Sequence, residues 1–264
     1  MSILQEIKEY KLDFVKNQKN KIPQIEIINI CKSISAKESY LFTKKLMNKK
    51  DNSTSIIGEL KRSSPSAGNI VDKSIDLINI AKQYEDAGVS CISILTDEKY
   101  FNGSNHDLID VKKHISLPIL RKDFIVDEYQ IYESKMIGAN CILLILSILD
   151  DDKARLFEKI STELGLDVLI EVHNEEEMKR ADSMKSPLIG INNRNLNDFS
   201  VDLNNSIKIC KLVKSDKIIV AESGISKRAD IDHIRENSPI SNFLVGESLM
   251  KSSDISRNVR NLIN

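Results

Sequence analysis

Short runs of apolar, mainly β-branched residues alternate with longer stretches of mixed polarity from about residue 56 to the end of the chain. The short runs have the length of strands, and the longer stretches space their apolar residues as amphipathic helices do. Several of the short runs are apolar throughout, which is typical of parallel strands covered by helices. Strands are predicted at residues 56–61, 89–95, 118–121, 140–145, 167–171, 187–191, 217–222 and 242–246.

The stretches between these strands carry the boundary signals of helices. Helices are predicted at 74–87, 128–137 and 253–263, with Ser74 and Ser226 where N-caps are expected and Gly88, Gly138 and Gly165 where a helix must end. Eight successive strand–helix units predict a TIM (β/α)8 barrel. An open doubly wound sheet is the alternative. That fold typically has a GxGxxG turn after its first strand, and the sequence GELKRSSPSAG at 58–68 does not match this motif.

The first fifty residues precede the first strand and have a different pattern. Helices are predicted at 3–15 and 36–47, separated by Pro23. Neither helix is long enough to form a stable domain alone. We therefore expect one (β/α)8-barrel domain over residues 1–264, in which residues 1–50 form an N-terminal helical extension packed on the barrel.

Composition and charge restrict the class of protein. Hydrophobic residues make up 41% and charged residues 29%, with Lys+Arg 38 against Asp+Glu 39 and a formal net charge of -1. These values are ordinary for a soluble globular protein, and a nucleic-acid binder would concentrate basic charge. The longest apolar run, at 141–146, is too short to cross a membrane, and the N-terminus does not resemble a signal peptide. The sequence predicts a cytoplasmic protein without nucleic-acid or membrane partners.

Cysteine and histidine residues are scattered along the chain. Their spacing matches neither a zinc pattern nor a disulfide framework, so buried free thiols and no metal site are predicted. Cysteines occupy positions 31, 91, 141 and 210, and histidines occupy positions 106, 114, 173 and 233.

Polar side chains end five of the predicted strands. One such residue alone is usually a solvated charge or part of a structural salt bridge, but several charges buried in one layer are costly unless they pair or react. The carboxyl ends of barrel strands form the active-site face, so we predict a site there. Alternation also places Glu59 and Lys61 on the same side of the first strand. The other candidates are Lys122, Glu171, Asn192, Arg194 and Glu222.

Glycines after the last two strands predict an anion site. Ser223 and Gly224 follow strand seven and Gly246 follows strand eight, where barrels commonly hold phosphate. Plain turn glycines are the alternative interpretation. Phe101 and Phe124 lie in loops of the same face. Their rings either form a wall against an aromatic substrate or simply pack against the protein itself.

Several motifs, in order along nearly the whole chain, resemble the indole-3-glycerol-phosphate synthase family. They are ILQEIKEYKLDFV at 3–15, GELKRSSPSAG at 58–68, LTDEKYFNGS at 95–104, LRKDFIVDEYQI at 120–131, LIEVHNEEE at 169–177, GINNRNL at 190–196, AESGI at 221–225 and LVGESLM at 244–250. The chain departs from the family's SPSKG motif at Ala67. The resemblance implies a TIM barrel whose N-terminal extension lies across the mouth.

The resemblance also implies an activity without cofactor or metal. This activity is the cyclising decarboxylation and dehydration of 1-(2-carboxyphenylamino)-1-deoxyribulose 5-phosphate to indole-3-glycerol phosphate, CO2 and water. Family position makes Lys122 the acid, whose pKa we expect burial and the nearby Lys61 to lower. Glu171 is the expected base, and Glu59 is expected to orient or buffer Lys61, while the acid for dehydration stays open between the two lysines.

The remaining candidates are assigned to substrate binding. Asn192, Arg194 and Glu222 are expected to hold hydroxyls and the carboxylate, with Ser64 as a further polar contact. Ser223, Gly224 and Gly246 are expected to hold the phosphate. The rival functions are a phosphosugar isomerase such as phosphoribosylanthranilate isomerase, which needs no pair of lysines, and a non-catalytic phosphate-binding barrel. Both a monomer and a weak homodimer are compatible with the sequence.

Overall fold

Eight parallel strands close into a barrel in the computed structural model, which describes residues 3–34, 40–47, 53–196 and 198–264. Each strand pairs with its neighbours in the chain, and the last strand pairs with the first. The strands are β1 (Ser55–Leu60), β2 (Cys91–Leu95), β3 (Ile119–Lys122), β4 (Cys141–Ile145), β5 (Asp167–Val172), β6 (Leu188–Asn192), β7 (Ile218–Glu222) and β8 (Asn242–Val245). The predicted TIM barrel is confirmed, and each strand end lies within two residues of the predicted one.

Helices surround the barrel and precede it. Those before the first strand are α1 (Ile3–Lys21), α2 (Gln24–Ser33) and α3 (Leu41–Met47). Those after it are α4 (Leu77–Ala87), α5 (Glu98–Phe101), α6 (Asn105–Lys112), α7 (Tyr129–Met136), α8 (Asp151–Glu163), α9 (Glu175–Asp182), α10 (Asn204–Cys210), α11 (Arg228–Asn237), α12 (Glu247–Met250) and α13 (Ile255–Ile263). A short hairpin of Ser63–Ser64 and Gly68–Asn69 follows β1.

Two predicted N-caps are wrong, because neighbouring residues cap these helices. Helix α4 begins after Asp76, whose carboxylate accepts from the Asn79 amide, whereas the Ser74 hydroxyl bonds to Asp72. Helix α11 is preceded by Lys227, and the Ser226 hydroxyl donates to Asp230 instead. The predicted helix ends are confirmed: the three glycines at 88, 138 and 165 have positive φ angles, which favour glycine.

The N-terminal helices cover both ends of the barrel. At the bottom, the Phe42 amide and the Thr43 hydroxyl of α3 donate to the Asp167 carboxylate at the start of β5, over 2.9 and 2.6 Å. At the mouth, α1 contributes Ile3 and Ile7 to the wall of the cavity described below. Helix α1 extends beyond the predicted 3–15. The predicted helix at 36–47 is observed over Leu41–Met47, and its residues 36–39 lie outside the described part.

The core lies inside the barrel and between its strands and the outer helices. Tyr84 of α4 packs so closely on β1 that a Cβ atom at Gly58 would lie 2.6 Å from its ring, which explains the glycine. All four cysteines are buried free thiols, as predicted. In the part of the chain that the structure describes, no helix is both long and apolar enough to span a bilayer.

Candidate active site

A cavity of about 380 Å3 opens at the carboxyl ends of the strands. Each residue that the sequence placed in the site lines this cavity. They are Glu59, Lys61, Ser64, Phe101, Lys122, Phe124, Glu171, Asn192, Arg194, Glu222, Ser223, Gly224 and Gly246. The structure therefore brings these residues together in one cavity, because strand ends converge at one face of a barrel.

Lys61 and Glu59 form an ion pair in the wall of the cavity. Lys61 follows the last residue of β1, and its Nζ lies 2.7 Å from Glu59 Oε2. Both residues project to the same side of the strand, as the alternation predicts. The contact fixes the lysine ammonium at the rim, while the Glu59 carboxylate is buried.

Lys122 lies between two buried carboxylates at the centre of the cavity. Its Nζ donates to Glu171 Oε2 over 3.0 Å and lies 3.5 Å from Glu222 Oε2. Burial disfavours the ammonium, but the charges of Glu171, Glu222 and Glu59 outweigh burial and raise the pKa of Lys122 above its ordinary value. The expectation that burial and Lys61 lower this pKa is wrong, because the lysine faces carboxylates.

The two carboxyl groups beside Lys122, those of Glu171 and Glu222, have pKa values shifted in opposite directions. Burial and the opposing Lys122 and His173 charges act on Glu171 in opposite directions, and the cations win, so the pKa of Glu171 lies well below its usual range. Burial raises the pKa of Glu222 to about 8, with Glu171 and Glu59 adding to the rise against Lys122. The two carboxyls therefore shift in opposite directions: the pKa of Glu171 is lowered by its cationic neighbours, and the pKa of Glu222 is raised by burial.

His173 extends this group behind Glu171. Its Nε2 lies 3.2 Å from Glu171 Oε1, and its Nδ1 lies 3.2 Å from Glu177 Oε2. Burial lowers its pKa, but the two flanking carboxylates outweigh burial and raise the pKa of His173 to about 9. A cationic imidazolium therefore helps to keep Glu171 ionised.

Phe101 and Phe124 form an aromatic wall. Their ring centroids lie 6.0 Å apart, and both half-buried rings border the cavity. Of the two sequence interpretations, the position of these rings favours a wall, because neither ring is packed away from the cavity.

The loops after β7 and β8 form the opposite side of the cavity. Ser223 and Gly224 have φ angles of 67° and 82°, in the left-handed region. The Ser223 carbonyl accepts from Asn193 Nδ2 over 3.2 Å, which holds this uncommon conformation. A Cβ atom at Gly224 would lie 2.3 Å from Val201 Cγ1, so glycine is required there.

The polar residues after β6 are tied to the same network. Asn192 donates through Nδ2 to Glu171 Oε1 over 3.3 Å, and its Oδ1 accepts from the Arg194 amide over 3.0 Å. The Arg194 guanidinium donates to the Phe199 carbonyl over 3.0 Å. On the first loop, the Ser64 hydroxyl accepts from the Ala67 amide over 3.1 Å.

Gly246 gives the Glu59 carboxylate the space it occupies. A Cβ atom at position 246 would lie 2.3 Å from Glu59 Oε2 and 3.0 Å from Glu59 Cβ. We expect Gly246→Ala to displace this carboxylate from Lys61 and to lower kcat/KM by about tenfold, since small misplacements at a site are costly. Steady-state kinetics of Gly246→Ala, Glu59→Ala and the double variant measure this. If the losses in kcat/KM from the two single substitutions add in the double variant, the substitutions act independently and the steric explanation is contradicted.

Several residues at the site had no sequence signal of function. A Cβ atom at Gly190 would lie 2.0 Å from Glu222 Oε1, so this strand glycine makes room for the buried carboxylate. Leu196 and Lys251 also line the cavity. His173 lies one residue beyond the end of β5. Its position directly after a strand is the same signal that identified the other polar candidates, and it could have been included on that ground.

A closed (β/α)8 barrel with a charge-lined cavity at the carboxyl ends of its strands is the architecture of a barrel enzyme. Among solved structures, the chain resembles a chain of the tryptophan synthase complex from Pyrococcus furiosus with a TM-score of 0.58 and 16% identity, covering 80% of this chain and 98% of that one. It also resembles thiamine phosphate pyrophosphorylase from the same organism with a TM-score of 0.57 and 13% identity, covering 79% and 93% of the two chains. These likenesses establish the fold alone.

Sequence comparison identifies the family. The family model for indole-3-glycerol phosphate synthase matches residues 4–262. Proteins named indole-3-glycerol phosphate synthase are 39% identical in Lachnoclostridium phytofermentans, over 98% of both chains, and 40% identical in Legionella pneumophila, over 99% of this chain and 98% of that one. The chain belongs to the indole-3-glycerol phosphate synthase family. The predicted function, a carboxy-lyase of tryptophan biosynthesis, is therefore confirmed.

Proposed function

We propose that the cavity carries out the family's ring closure with Lys122 as the acid and Glu171 as the base. The observation that carries the proposal is the ammonium of Lys122 held between Glu171 and Glu222 beside an aromatic wall. A proton donor, a proton acceptor and a slot for a flat ring are the groups that this reaction needs.

Ring closure comes first. The aromatic carbon that bears the carboxylate attacks the ribulose carbonyl carbon, and Lys122 gives a proton to the carbonyl oxygen, which becomes a hydroxyl. The neutral amine that remains no longer lowers the pKa of Glu171, so the carboxylate becomes more basic. Transfer from Lys122 thus prepares Glu171 for its own step.

Decarboxylation and dehydration follow. The carbon–carboxylate bond breaks and releases CO2, and its electron pair restores the aromatic ring. The new hydroxyl then leaves as water with a proton from a lysine, while Glu171 removes the proton from the neighbouring carbon and the double bond of the indole forms. Lys61 and Lys122 both line the cavity and are both candidates for the dehydration acid; Lys122 serves only after it has regained a proton from solvent, since it gave one to the carbonyl oxygen.

Substrate binding divides between the two sides of the cavity. Phe101 and Phe124 pack on the anthranilate ring, and Arg194 pairs with its carboxylate. Asn192, Ser64 and the neutral Glu222 bond to hydroxyls. We assign the phosphate to the loops that carry Ser223, Gly224 and Gly246. Glu59 holds Lys61 in place through the 2.7 Å ion pair.

Turnover of the purified protein tests the proposal. Indole-3-glycerol phosphate has the fluorescence of an indole, and the chain contains no tryptophan, so the protein itself contributes no indole emission when product formation from synthetic substrate is measured. We expect turnover in buffer without added cofactor. Conversion of an aldose substrate to a ketose without loss of CO2 would instead support the isomerase function.

The raised pKa of Glu222 predicts an alkaline limit to activity. Because kcat/KM reports the free enzyme, we expect it to fall as pH rises through about 8, where ionised Glu222 adds a negative charge against an anionic substrate. Glu222→Gln stays neutral, so its profile is expected to lack this fall, whatever its absolute rate. A profile of Glu222→Gln that falls near pH 8 as the wild type does would assign the limit to another group.

The proposal also covers the domain organisation, the cellular location and the oligomeric state predicted from the sequence. We propose that residues 1–264 form a single domain, with residues 1–50 as an extension. The contacts of α3 with Asp167 and of α1 with the cavity support this arrangement. We also propose a cytoplasmic location and a monomer or weak homodimer, which size-exclusion chromatography with light scattering would test.

A further inference from the structure

Lys11 of α1 is a buried lysine outside the catalytic group. It is 2% exposed, and lysine is rarely buried to this extent unless it is paired. Its Nζ lies 2.7 Å from Asp123 Oδ1 and 2.9 Å from Asp97 Oδ2. The two carboxylates raise the pKa of Lys11 against the effect of burial, so the lysine stays charged.

Each aspartate lies at the root of a loop that reaches the cavity. Asp97 follows β2 and caps α5, since its Oδ1 accepts from the Tyr100 amide, and α5 carries Phe101. Asp123 directly follows Lys122, and its Oδ1 accepts from the Phe124 amide over 2.8 Å. Lys11 is therefore bonded to both loops of the aromatic wall.

Asp123 also connects Lys11 to a network of hydrogen bonds and ion pairs next to Lys122 in the barrel. Thr96 donates to Asp123 Oδ2 over 2.7 Å and accepts from Arg121 Nε over 3.1 Å. Arg121 Nη2 lies 3.3 Å from Asp123 Oδ2 and 2.6 Å from Glu133 Oε2. Two cations and three carboxylates thus fix the main chain on both sides of Lys122.

We propose that Lys11 is a positioning residue that sets the aromatic wall and the direction of Lys122 from outside the barrel. It acts through Asp97 and Asp123, and the inference rests on the proposed function of the cavity. Loss of its charge would leave Asp97 without its cation and Asp123 paired with Arg121 alone, so that the two carboxylates repel each other and the loops carrying Phe101 and Phe124 separate.

The same helix offers a matched control. Lys19 of α1 lies 2.8 Å from Asp127 Oδ1, but its side chain is 32% exposed and neither residue borders the cavity. Both lysines tie α1 to the barrel, whereas only Lys11 contacts the roots of the cavity loops. A comparison of the two therefore separates attachment of the helix from positioning of the site.

The experiment compares kcat and KM of the wild type, Lys11→Met and Lys19→Met at a temperature where circular dichroism shows each protein to be folded. For Lys11→Met we expect KM to rise and kcat to fall, with a combined loss in kcat/KM of at least about tenfold. For Lys19→Met we expect kcat/KM within about twofold of the wild type, as for an exposed ion pair.

A second variant keeps the test decisive if Lys11→Met does not fold. Asp97→Asn retains an oxygen for the Tyr100 amide but removes the charge that faces Lys11, and we expect a smaller loss with the same rise in KM. Folded Lys11→Met or Asp97→Asn with kcat/KM within about twofold of Lys19→Met would overturn the positioning role. Absence of turnover in the wild type and in Lys19→Met would instead overturn the proposed function.

Discussion

Replacement of Lys122 by methionine is expected to reduce kcat by about 10²–10⁴-fold, the usual contribution of a general acid. Methionine fills similar space but cannot protonate the carbonyl oxygen. The ammonium is also 3.0 Å from Glu171 and 3.5 Å from Glu222, so the substitution removes one of the two cations that keep Glu171 ionised, the other being His173. Single-turnover kinetics measure the chemical step without interference from product release.

Stability of Lys122→Met should depend on pH in a defined direction. His173 still opposes the effect of burial on Glu171, but without the ammonium burial raises the folded-state pKa of Glu222 further above that of the unfolded chain. A group of this kind stabilises the fold at low pH, and its contribution is lost as pH rises through the folded-state pKa. We therefore expect the variant to be close to wild type near pH 5 and up to about 3–5 kcal/mol less stable at higher pH, the usual cost of breaking a buried pair.

Lys122→Arg is the control that separates charge from proton transfer. Arginine keeps a cation between the carboxylates, but its guanidinium stays protonated at any working pH. We expect Lys122→Arg to recover most of the lost stability and little of the lost rate. Activity of Lys122→Met within about threefold of the wild type would refute the assignment of Lys122 as the acid.

The barrel itself was predictable because its signals are local. Apolar runs mark the strands, and the positive-φ glycines at 88, 138 and 165 mark helix ends. The errors were also local: at Ser74 a hydroxyl competed with the carboxylate of Asp76, which offers the Asn79 amide a better acceptor. Such choices between adjacent polar residues are decided by side-chain geometry that a one-dimensional pattern does not contain.

The convergence of the candidate residues on one cavity was predictable, and the electrostatics of that cavity were not. Strand-end positions brought Glu59, Lys122 and Glu171 to one cavity, because the fold places all carboxyl ends together. The sequence does not say which charges face each other across that cavity. Lys122 was expected beside Lys61, whereas the structure places it beside Glu171 and Glu222, and this reverses the sign of its pKa shift.

Long-range pairs were invisible for the same reason. Lys11 and Asp97 are far apart in the chain, and each alone is an ordinary charged residue of a helix or a loop. Gly190 likewise resembles a strand glycine of no consequence until the carboxylate of Glu222 is seen to fill the space beside it. Both contacts depend on how neighbouring strands and α1 are placed in three dimensions.

Replacement of Glu171 by glutamine is expected to lower kcat by about 10²–10⁴-fold and to change KM by less than about threefold. The amide keeps the shape of the side chain and an oxygen for Asn192 Nδ2, which now lies 3.3 Å from Glu171 Oε1. It has no basicity, so the proton on the neighbouring carbon is not removed and the hydroxyl does not leave. The intermediate formed after loss of CO2 should therefore accumulate in single-turnover experiments.

Glu158→Gln provides a control with the same chemical change. Glu158 is 5% exposed, close to the 2% of Glu171, and accepts from the Ser186 amide over 2.6 Å, away from the cavity. We expect this variant to keep the wild-type rate. If Glu171→Gln also turns over at the wild-type rate, the carboxylate only pairs with Lys122 and His173, and the base must be sought elsewhere. A large loss confined to Glu171→Gln would instead support Glu171 as the base. Lys122 and His173 then keep Glu171 ionised before the reaction, and Glu171 becomes basic only after Lys122 has given up its proton.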